Sequence, residues 1–229
     1  MSTDKMEHQT LTTEAINSIL GITDSYKAPD RLMEILFDRK LRESVFKQFL
    51  EIDHNLDKDC FYYYFQEEHA ERKKYAQDFT PNSVAKLISK MVGSEGASST
   101  LDVAAGTGGI TIQKWVSDKY STGFFEYKPS LFFYQCEELS DRAVPFLLFN
   151  MLIRGMNGTV VHGDVLTREV KNVYFIQNFQ DSYIAFSDLN VMPRTSAVEQ
   201  EFDVREWVGD LLPDYIESKE FPSFLTGVL

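Results

Sequence analysis

A short apolar run that ends in closely spaced glycines is the feature of this chain that most constrains its fold. The run occupies residues 101–105, glycines follow at Gly106, Gly108 and Gly109, and residues 110–115 can begin a helix. In such a strand, tight turn and helix, glycine lets a ligand approach backbone that a side chain would block. The free N–H groups at the helix start favour an anionic or strongly polar ligand. The pattern therefore predicts a nucleotide-like ligand at the carboxyl end of a strand.

The glycine turn differs from the two familiar phosphate-binding loops. Gly109 follows Gly108 directly, so the spacing is not G-x-G-x-x-G, and no Gly-Lys-Ser/Thr sequence follows. Asp102 stands just before the turn, where a carboxylate would repel a phosphate but would suit a ligand that carries an amine and a sulfonium. Taken alone, the glycines are equally consistent with an ordinary turn that binds nothing.

Acidic residues lie at the ends of three successive predicted strands. Asp102 belongs to the first strand, Glu138 follows the aromatic strand at residues 132–136, and Asp164 follows the strand at residues 159–162. An acid after the second strand of a nucleotide-binding βαβ unit typically accepts hydrogen bonds from ribose, and an acid after the third can meet a purine amino group. One such acid could be a solvated strand end, but three beside a glycine turn indicate a binding site.

Four short segments follow one another in order between roughly residues 60 and 170. Residues 77–81 read Gln-Asp-Phe-Thr-Pro, residues 102–109 hold the glycine turn, Glu138 is followed by Asn150, and residues 163–166 read Gly-Asp-Val-Leu. In this order and spacing they resemble the N6-adenine DNA methyltransferases, in particular the modification subunits of type I restriction-modification systems. The glycine turn is similar to that family's Asp-Pro-x-x-Gly-x-Gly-Gly loop, with valine in place of proline.

The resemblance implies a Rossmann-like α/β fold that binds S-adenosylmethionine and transfers its methyl group to adenine in DNA. The cofactor-binding residues that it implies are Thr80, Asp102, Ala104, Gly106, Gly108, Glu138 and Asp164. Thr80 lies in the segment that closes over the methionine end of the cofactor, Glu138 is the ribose-binding acid, and Asp164 contacts the adenine. The family's modification subunits rely on a separate specificity subunit, so the resemblance also implies a partner protein.

The chain departs from this family at the motif that holds the target base. The family places Asn/Asp-Pro-Pro-Tyr/Phe after the fourth strand, where the motif aligns the adenine amino group with the methyl group and stacks on the extruded base. The nearest match here is Asn-Val-Met-Pro at residues 190–193, after the apolar run at residues 183–186. Asn190 is therefore the candidate catalytic residue, and the alternative is a turn residue without a catalytic role.

The sheet is expected to be incomplete. A methyltransferase sheet of this class has seven strands, whereas the residues after Pro193 suffice for one further helix at residues 198–208 and little else. Residues 172–186 are expected to form a hairpin that pairs with the open sheet edge and so protects it. The half of the sheet that normally holds the target base is thus predicted to be missing or reduced.

The chain is expected to have two parts. Residues 1–75 form a helical N-terminal region whose first ten residues are disordered, and residues 76–229 form the methyltransferase-like α/β domain. Apolar residues recur at helical spacing through residues 30–50. The aromatic run at residues 61–65 is expected to pack between these helices and the sheet, rather than to stack on bases.

The charge balance argues against tight DNA binding by the chain alone. Lys and Arg number 23 against 35 Asp and Glu, for a net charge of −12, whereas duplex binding draws its affinity from basic side chains. The basic cluster at residues 72–74 is best explained as a solvated helix face. If DNA is the target, we expect a basic, specificity-type partner to supply most of the contact.

Cysteine and histidine positions predict no metal site. Cys60 and Cys136 are far apart, and the four histidines are scattered without metal-ligand spacing. Reduced thiols, the absence of a membrane-spanning run and a polar N-terminus are typical of a cytoplasmic protein.

Three functional hypotheses follow from the sequence. The first is an adenine N6-methyltransferase of DNA that binds S-adenosylmethionine and is either vestigial or completed by a partner. The second is a non-catalytic cofactor-binding or interaction module derived from such an enzyme. The third is a methyltransferase of another substrate.

Overall fold

The chain forms a set of helices followed by a sheet of alternating strands and helices. The computed structural model describes residues 11–62, 64, 80, 82–91, 99–123 and 126–220. The described helices before the sheet are α1 (Thr13–Leu20), a 3-10 turn (Ser25–Lys27), α2 (Ala28–Leu36), α3 (Arg39–Ile52) and α4 (Asn82–Met91). The elements from the first strand onward are β1 (Ser99–Val103), α5 (Gly109–Thr122), a 3-10 turn (Pro129–Leu131), β2 (Phe133–Glu138), α6 (Val144–Ile153), β3 (Gly158–Gly163), β4 (Glu169–Gln177), β5 (Asp188–Val191), α7 (Ser196–Glu201) and β6 (Glu206–Trp207).

The described strands form one mixed sheet in the order β1–β2–β3–β4–β5, with β6 beside the start of β4. The first three strands are parallel to one another, and β4 is antiparallel to both β3 and β5. Because of these two reversals, β5 runs in the same direction as β1, β2 and β3. The carboxyl ends of these four strands therefore lie at one edge of the sheet. The α/β class that the sequence predicts is confirmed.

Strand β1 lies at the end of this strand order. In a doubly wound sheet the first strand is central, and the ligand binds beside it where the strand order reverses. Within the described part of the chain, β1 pairs only with β2. The side chains of Leu101 and Val103 on this strand are 58% and 49% exposed. In the described sheet the glycine turn thus follows an edge strand rather than a central one.

Helix α6 is the centre of the hydrophobic core. Every residue from Val144 to Ile153 is buried, because the helix lies between the sheet and the N-terminal helices. The ring of Phe149 contacts the rings of Phe46, Phe49 and Phe61 at centroid distances of 4.8, 4.8 and 4.9 Å. Burying each of these rings contributes about 1.5–3 kcal/mol. The N-terminal helices and the sheet therefore share one core.

Two predictions for the N-terminal region can be compared with this core. Phe61 and Tyr64 of the aromatic run are buried in it, so their expected packing role is confirmed. The predicted domain boundary between residues 75 and 76 lies outside the described residues. So do the first ten residues, which were expected to be disordered, and the basic cluster at residues 72–74.

The structure corrects the sequence prediction after β4. The hairpin is present, but its second strand is β5, while residues 183–186 lie in the connecting loop, where Ile184 is exposed. The helix predicted at residues 198–208 ends at Glu201. Asp203 then takes a left-handed conformation with a φ of 49°, and the chain turns to form β6 beside β4. Pairing with β4 outweighs the local helical pattern there.

A C-terminal stretch at residues 215–218 closes the far side of the sheet. Its backbone pairs with β5, and the carboxylate of Glu217 accepts the backbone N–H of Leu189 at 2.8 Å. The same carboxylate forms an ion pair with the buried guanidinium of Arg42 on α3 at 2.6 Å. Burial alone would raise the pKa of Glu217, but the hydrogen bond and charge of Arg42 hold it below its usual value. This pair therefore fastens the C-terminal stretch to the N-terminal helices.

We expect Glu217→Gln to lower the free energy of unfolding by about 3 kcal/mol at neutral pH, because Arg42 would remain buried without its counter-charge. The control is Glu43→Gln, which removes an exposed ion pair with Arg39 at 3.1 Å and should cost less than about 1 kcal/mol. The pKa of Glu217 is lower in the folded state, so its contribution is present at neutral pH and lost as the pH falls through the folded pKa. Urea unfolding at several pH values measures both effects. Equal losses in the two variants, or a difference that persists in acid, would contradict this account.

Candidate cofactor site

The glycine turn joins β1 to α5 at the edge of the sheet where the parallel strands end. Three of its residues take left-handed backbone conformations, with φ of 63° at Ala104, 59° at Gly106 and 94° at Gly108. Ala104 carries a side chain in this region, which costs about 1–2 kcal/mol. A Cβ added at Gly108 would lie 2.9 Å from the Cδ1 atom of Leu147. The turn therefore needs glycine at position 108, where the backbone is left-handed and a side chain would clash with Leu147 in the core.

Glu138 holds the turn from the end of β2. One of its carboxylate oxygens accepts the backbone N–H of Gly106 at 2.7 Å, and the other accepts the N–H of Ser140 at 2.8 Å. The residue is only 7% exposed. A carboxylate has about four acceptor positions, so these two bonds leave capacity for a hydroxyl. The structure thus places Glu138, the predicted ribose acid, in direct contact with the predicted loop.

Asp102 faces the first turn of α5. Its carboxylate accepts the hydroxyl of Thr111 at 2.7 Å. Burial raises the pKa of Asp102, and the bond from Thr111 opposes that rise. The thiol of Cys136 lies 3.4 Å from the same hydroxyl, and burial raises the pKa of that thiol to about 12, so it is not a nucleophile at neutral pH. Asp102 therefore ties β1 to the helix that follows the glycine turn.

Asp164 organises the turn between β3 and β4. Its Oδ1 atom accepts the backbone N–H groups of Leu166 at 2.8 Å and of Thr167 at 3.3 Å. This is an Asx turn, a common use of aspartate directly after a strand. The carboxyl group lies at the same sheet edge as Glu138, one strand further along. Its predicted contact with an adenine amino group stays a prediction.

Thr80, a predicted cofactor-binding residue, is half-buried and lies just before helix α4. The neighbouring residues 77–79 and 81 of the predicted Phe-Thr-Pro segment lie outside the described residues. Its closure over a cofactor stays a prediction.

Exposed apolar side chains accompany the acids at this edge. Leu139 directly follows Glu138 and is 58% exposed, and Leu166 lies two residues after Asp164 and is 85% exposed. Apolar surface beside a few fixed polar groups is typical of small-molecule sites. The sequence prediction did not include Leu139, although its place directly after the strand-end acid was a usable signal.

A second group that the sequence prediction missed lies behind the turn. The hydroxyl of Thr107 donates to the carboxylate of Asp59 at 2.5 Å. The side-chain amide of Asn150 on α6 donates to the same carboxylate at 2.7 Å and to the backbone carbonyl of Thr107 at 2.9 Å. Asp59 is 48 residues away from Thr107 in the chain, so no local pattern indicates this contact.

Asn190, the predicted catalytic residue, is not brought to this site. It lies within β5, is fully buried, and donates from its amide to the carbonyl of Phe175 and the hydroxyl of Ser218. Its side-chain oxygen accepts the N–H groups of Glu217 and Ser218. Four strand spacings of about 4.8 Å separate β5 from β1, or about 19 Å. In this arrangement Asn190 fastens the C-terminal stretch, and contact with a base at the glycine turn would require the strands to rearrange.

The described residues contain no group of three or more His, Cys, Asp or Glu side chains arranged to hold a metal ion. Among the described helices, none has the length and apolar character needed to cross a membrane.

Comparison with known families identifies the chain. The family model described as N-6 DNA Methylase matches residues 57–187, more than half of the sequence. The chain belongs to this family. The matched stretch contains Asp59, the glycine turn, Glu138 and Asp164, and it ends one residue before β5 begins. Comparison with curated proteins and with solved structures gives no match.

The resemblance to N6-adenine DNA methyltransferases is thus confirmed at the level of the family. Asn190 lies beyond the stretch that the family model matches. The glycine turn and the strand-end acids lie within it, so the similarity is carried by the candidate cofactor site rather than by the degenerate tetrad.

Proposed function

We propose that this chain binds S-adenosylmethionine over the turn at residues 104–108 and serves in N6-methylation of adenine in DNA. The observation that carries the proposal is the contact between the Glu138 carboxylate and the N–H of Gly106, in a chain of the N-6 DNA methylase family. It joins a strand-end acid to a left-handed glycine turn, the combination that nucleotide-like cofactors use in Rossmann-like folds. The Rossmann-like assignment of this core is part of the proposal.

The chemistry of the candidate site fits this cofactor better than a dinucleotide. Asp102, Glu138 and Asp164 bring three carboxyl groups to the strand ends near the turn, and these groups would repel a pyrophosphate. S-adenosylmethionine has no phosphate and carries positive charge on its amine and its sulfonium. Carboxylates suit its amine and ribose hydroxyls, and the exposed Leu139 and Leu166 suit the faces of a purine.

Each residue has a distinct task in the proposed complex. Gly106 and Gly108 let the ligand lie against the backbone, Glu138 accepts from the ribose, and Asp164 accepts from the adenine amino group. Asp102 keeps α5 in register with β1, so that the first N–H groups of α5 face the ligand. The bound cofactor supplies an electrophilic methyl group, and the protein's contribution to transfer is alignment of the acceptor nitrogen with it.

We further propose that DNA is reached through a basic partner of the specificity-subunit kind. The chain's net charge of −12 gives it little attraction for phosphates. The glycine turn also follows a strand that pairs on one side only within the described residues. A partner in a restriction-modification assembly would supply the DNA contact and a base-holding group near the turn.

The alternative is a cofactor-binding module without catalytic activity of its own. The burial of Asn190 and its bonds to the backbone of residues 217 and 218 favour this alternative. The two proposals share the cofactor site and differ only in methyl transfer.

Gly106→Val should weaken binding of S-adenosylmethionine by at least about tenfold. Valine at a left-handed φ costs about 1–2 kcal/mol, and its side chain would occupy the space of the ligand. The matched control is Gly123→Val, at another glycine of positive φ (89°) with open space around it, at the far end of α5. Isothermal calorimetry with wild type and both variants measures the effect. Absence of binding by wild type, or wild-type affinity in Gly106→Val, would show that the turn is purely structural.

We expect the isolated chain to bind duplex DNA weakly, with dissociation constants above about 1 μM near physiological salt and little sequence preference. Electrophoretic titration of unrelated duplexes measures this affinity. Its dependence on salt should be shallow, because few phosphates are neutralised. Tight, sequence-selective binding by the isolated chain would overturn the requirement for a basic partner.

Transfer of labelled methyl groups to DNA by the isolated chain should be near background. The aromatic platform of the tetrad is missing, which removes base stacking of about 1–3 kcal/mol, and Asn190 is held in β5. Ser218→Ala controls for stability, because it removes one bond to Asn190 and leaves the amide in place. Robust turnover that disappears in Asn190→Ala but persists in Ser218→Ala would make Asn190 catalytic and reject this prediction.

A further inference from the structure

We infer that Asp59 is a positioning residue, which holds the glycine turn in its ligand-binding conformation through Thr107 and Asn150. The inference rests on the proposed function, because it concerns affinity for the cofactor at that turn. Asp59 belongs to the segment that follows the N-terminal helices and is not part of the glycine turn or of the strand-end acids.

Thr107 is held at two points at once. Its hydroxyl donates to Oδ2 of Asp59 at 2.5 Å, and its backbone carbonyl accepts from Nδ2 of Asn150 at 2.9 Å. Asn150 uses its other amide hydrogen to reach Oδ1 of Asp59 at 2.7 Å. These three bonds fix both the side chain and the peptide plane of Thr107, which lies between the two left-handed glycines.

Arg154 determines which way the Asn150 amide faces. Its Nη1 atom donates to Oδ1 of Asn150 at 2.8 Å and to the backbone carbonyl of the same residue at 2.7 Å. A guanidinium only donates, so the amide oxygen must face it, and the amide nitrogen must face Asp59 and Thr107. Arg154 also donates to the carbonyl of Leu56 at 2.9 Å, which fixes the segment that carries Asp59.

The group is buried, so the loss of any one of its hydrogen bonds would be costly. Asp59 is 8% exposed, Thr107 2%, and Asn150 fully buried. A buried polar group that loses its partner bears the whole cost of its desolvation. The group therefore has one satisfied arrangement, and that arrangement requires the observed position of Thr107.

The turn needs support on this side because it is strained, and its other side is held from the end of β2 by the Glu138 carboxylate and the Glu137 carbonyl, which accepts the N–H of Ala105 at 3.0 Å. Ala104, Gly106 and Gly108 take left-handed conformations within five residues. Glu138 fixes Gly106 on the ligand side of the turn, and Asp59 fixes Thr107 on the core side. With both carboxylates in place the turn is preorganised, which lowers the ordering cost of binding.

Asp57 provides a control within the same segment. Its carboxylate accepts from Nζ of Lys119 at 3.0 Å and from the hydroxyl of Tyr120 at 3.1 Å. It thus attaches the segment to the same helix, α5, but at the end away from the turn. If these aspartates only attach the segment to α5, substituting either one should affect cofactor affinity equally. If Asp59 positions the turn, only its substitution should lower that affinity.

The test compares affinity for S-adenosylmethionine by calorimetry with the melting temperature of each full-length variant. Asp59→Asn replaces the carboxylate oxygen that accepts the Thr107 hydroxyl with an amide nitrogen, so the bond to a charged group is lost and affinity should fall about tenfold. Thr107→Val should lower the affinity by a similar factor. Thr107→Ser should retain near wild-type affinity, and Asp57→Asn should leave the affinity unchanged. The combined Asp59→Asn and Thr107→Val variant should lose little more than either alone, because both remove the same bond.

The outcomes separate this inference from the proposed function. If wild type binds and both Asp59→Asn and Thr107→Val bind equally well, the group is only structural and the inference is overturned, while the proposed function stands. If wild type does not bind, the proposed function fails and the inference fails with it. If Asp59→Asn does not fold, the affinities of Thr107→Val and Thr107→Ser are compared instead. Valine keeps the shape of threonine and serine keeps its hydroxyl, so lower affinity in the valine variant alone supports the inference.

Discussion

Asn150 is the one polar side chain on a helix that is otherwise wholly apolar and wholly buried. A buried amide must have all its hydrogen bonds satisfied, and here two partners come from distant segments of the chain and the third comes from the end of the same helix. They are the carboxylate of Asp59, the carbonyl of Thr107 and the guanidinium of Arg154. The centre of the core therefore determines how the N-terminal segment, the glycine turn and the end of α6 meet. Packing of Phe149 against its neighbouring rings stabilises this core, and the bonds of Asn150 orient the segments that meet there.

The acids at the sheet edge serve the fold as well as the candidate site. Glu138 accepts two backbone N–H groups, Asp102 accepts the Thr111 hydroxyl, and Asp164 closes its own turn. Such bonds hold carboxylates in fixed positions and leave part of their acceptor capacity open. A ligand would meet groups that are already ordered. Because such bonds also serve the fold, a single acid at a strand end does not by itself indicate a binding site in the sequence.

Local patterns were enough to predict the parts of the fold that local interactions decide. The strand before the glycines, the turn itself and the two following strands all appear near their predicted residues, because alternation, glycine spacing and strand-end acids are properties of short segments. The placement of β5 was wrong, since an apolar run at residues 183–186 resembles a strand as well as residues 188–191 do. Pairing with β4 and with residues 215–218 decides between them. The contact between Asp59 and Thr107 joins residues far apart in the chain and has no local signature.

The strand order separates the glycine turn from Asn190, the residue that stands where the family has its base-holding motif. Methyl transfer needs an acceptor aligned within a few ångströms of the methyl group, yet Asn190 lies four strands away from the turn, on a strand that the C-terminal stretch holds closed. The strand that would lie next to the turn in a doubly wound sheet would have to pair with β1. Within the described residues that position has no strand, and Leu101 and Val103 are exposed there. The described residues therefore contain the contacts that the proposed cofactor site needs, whereas none of them places an acceptor base beside the turn.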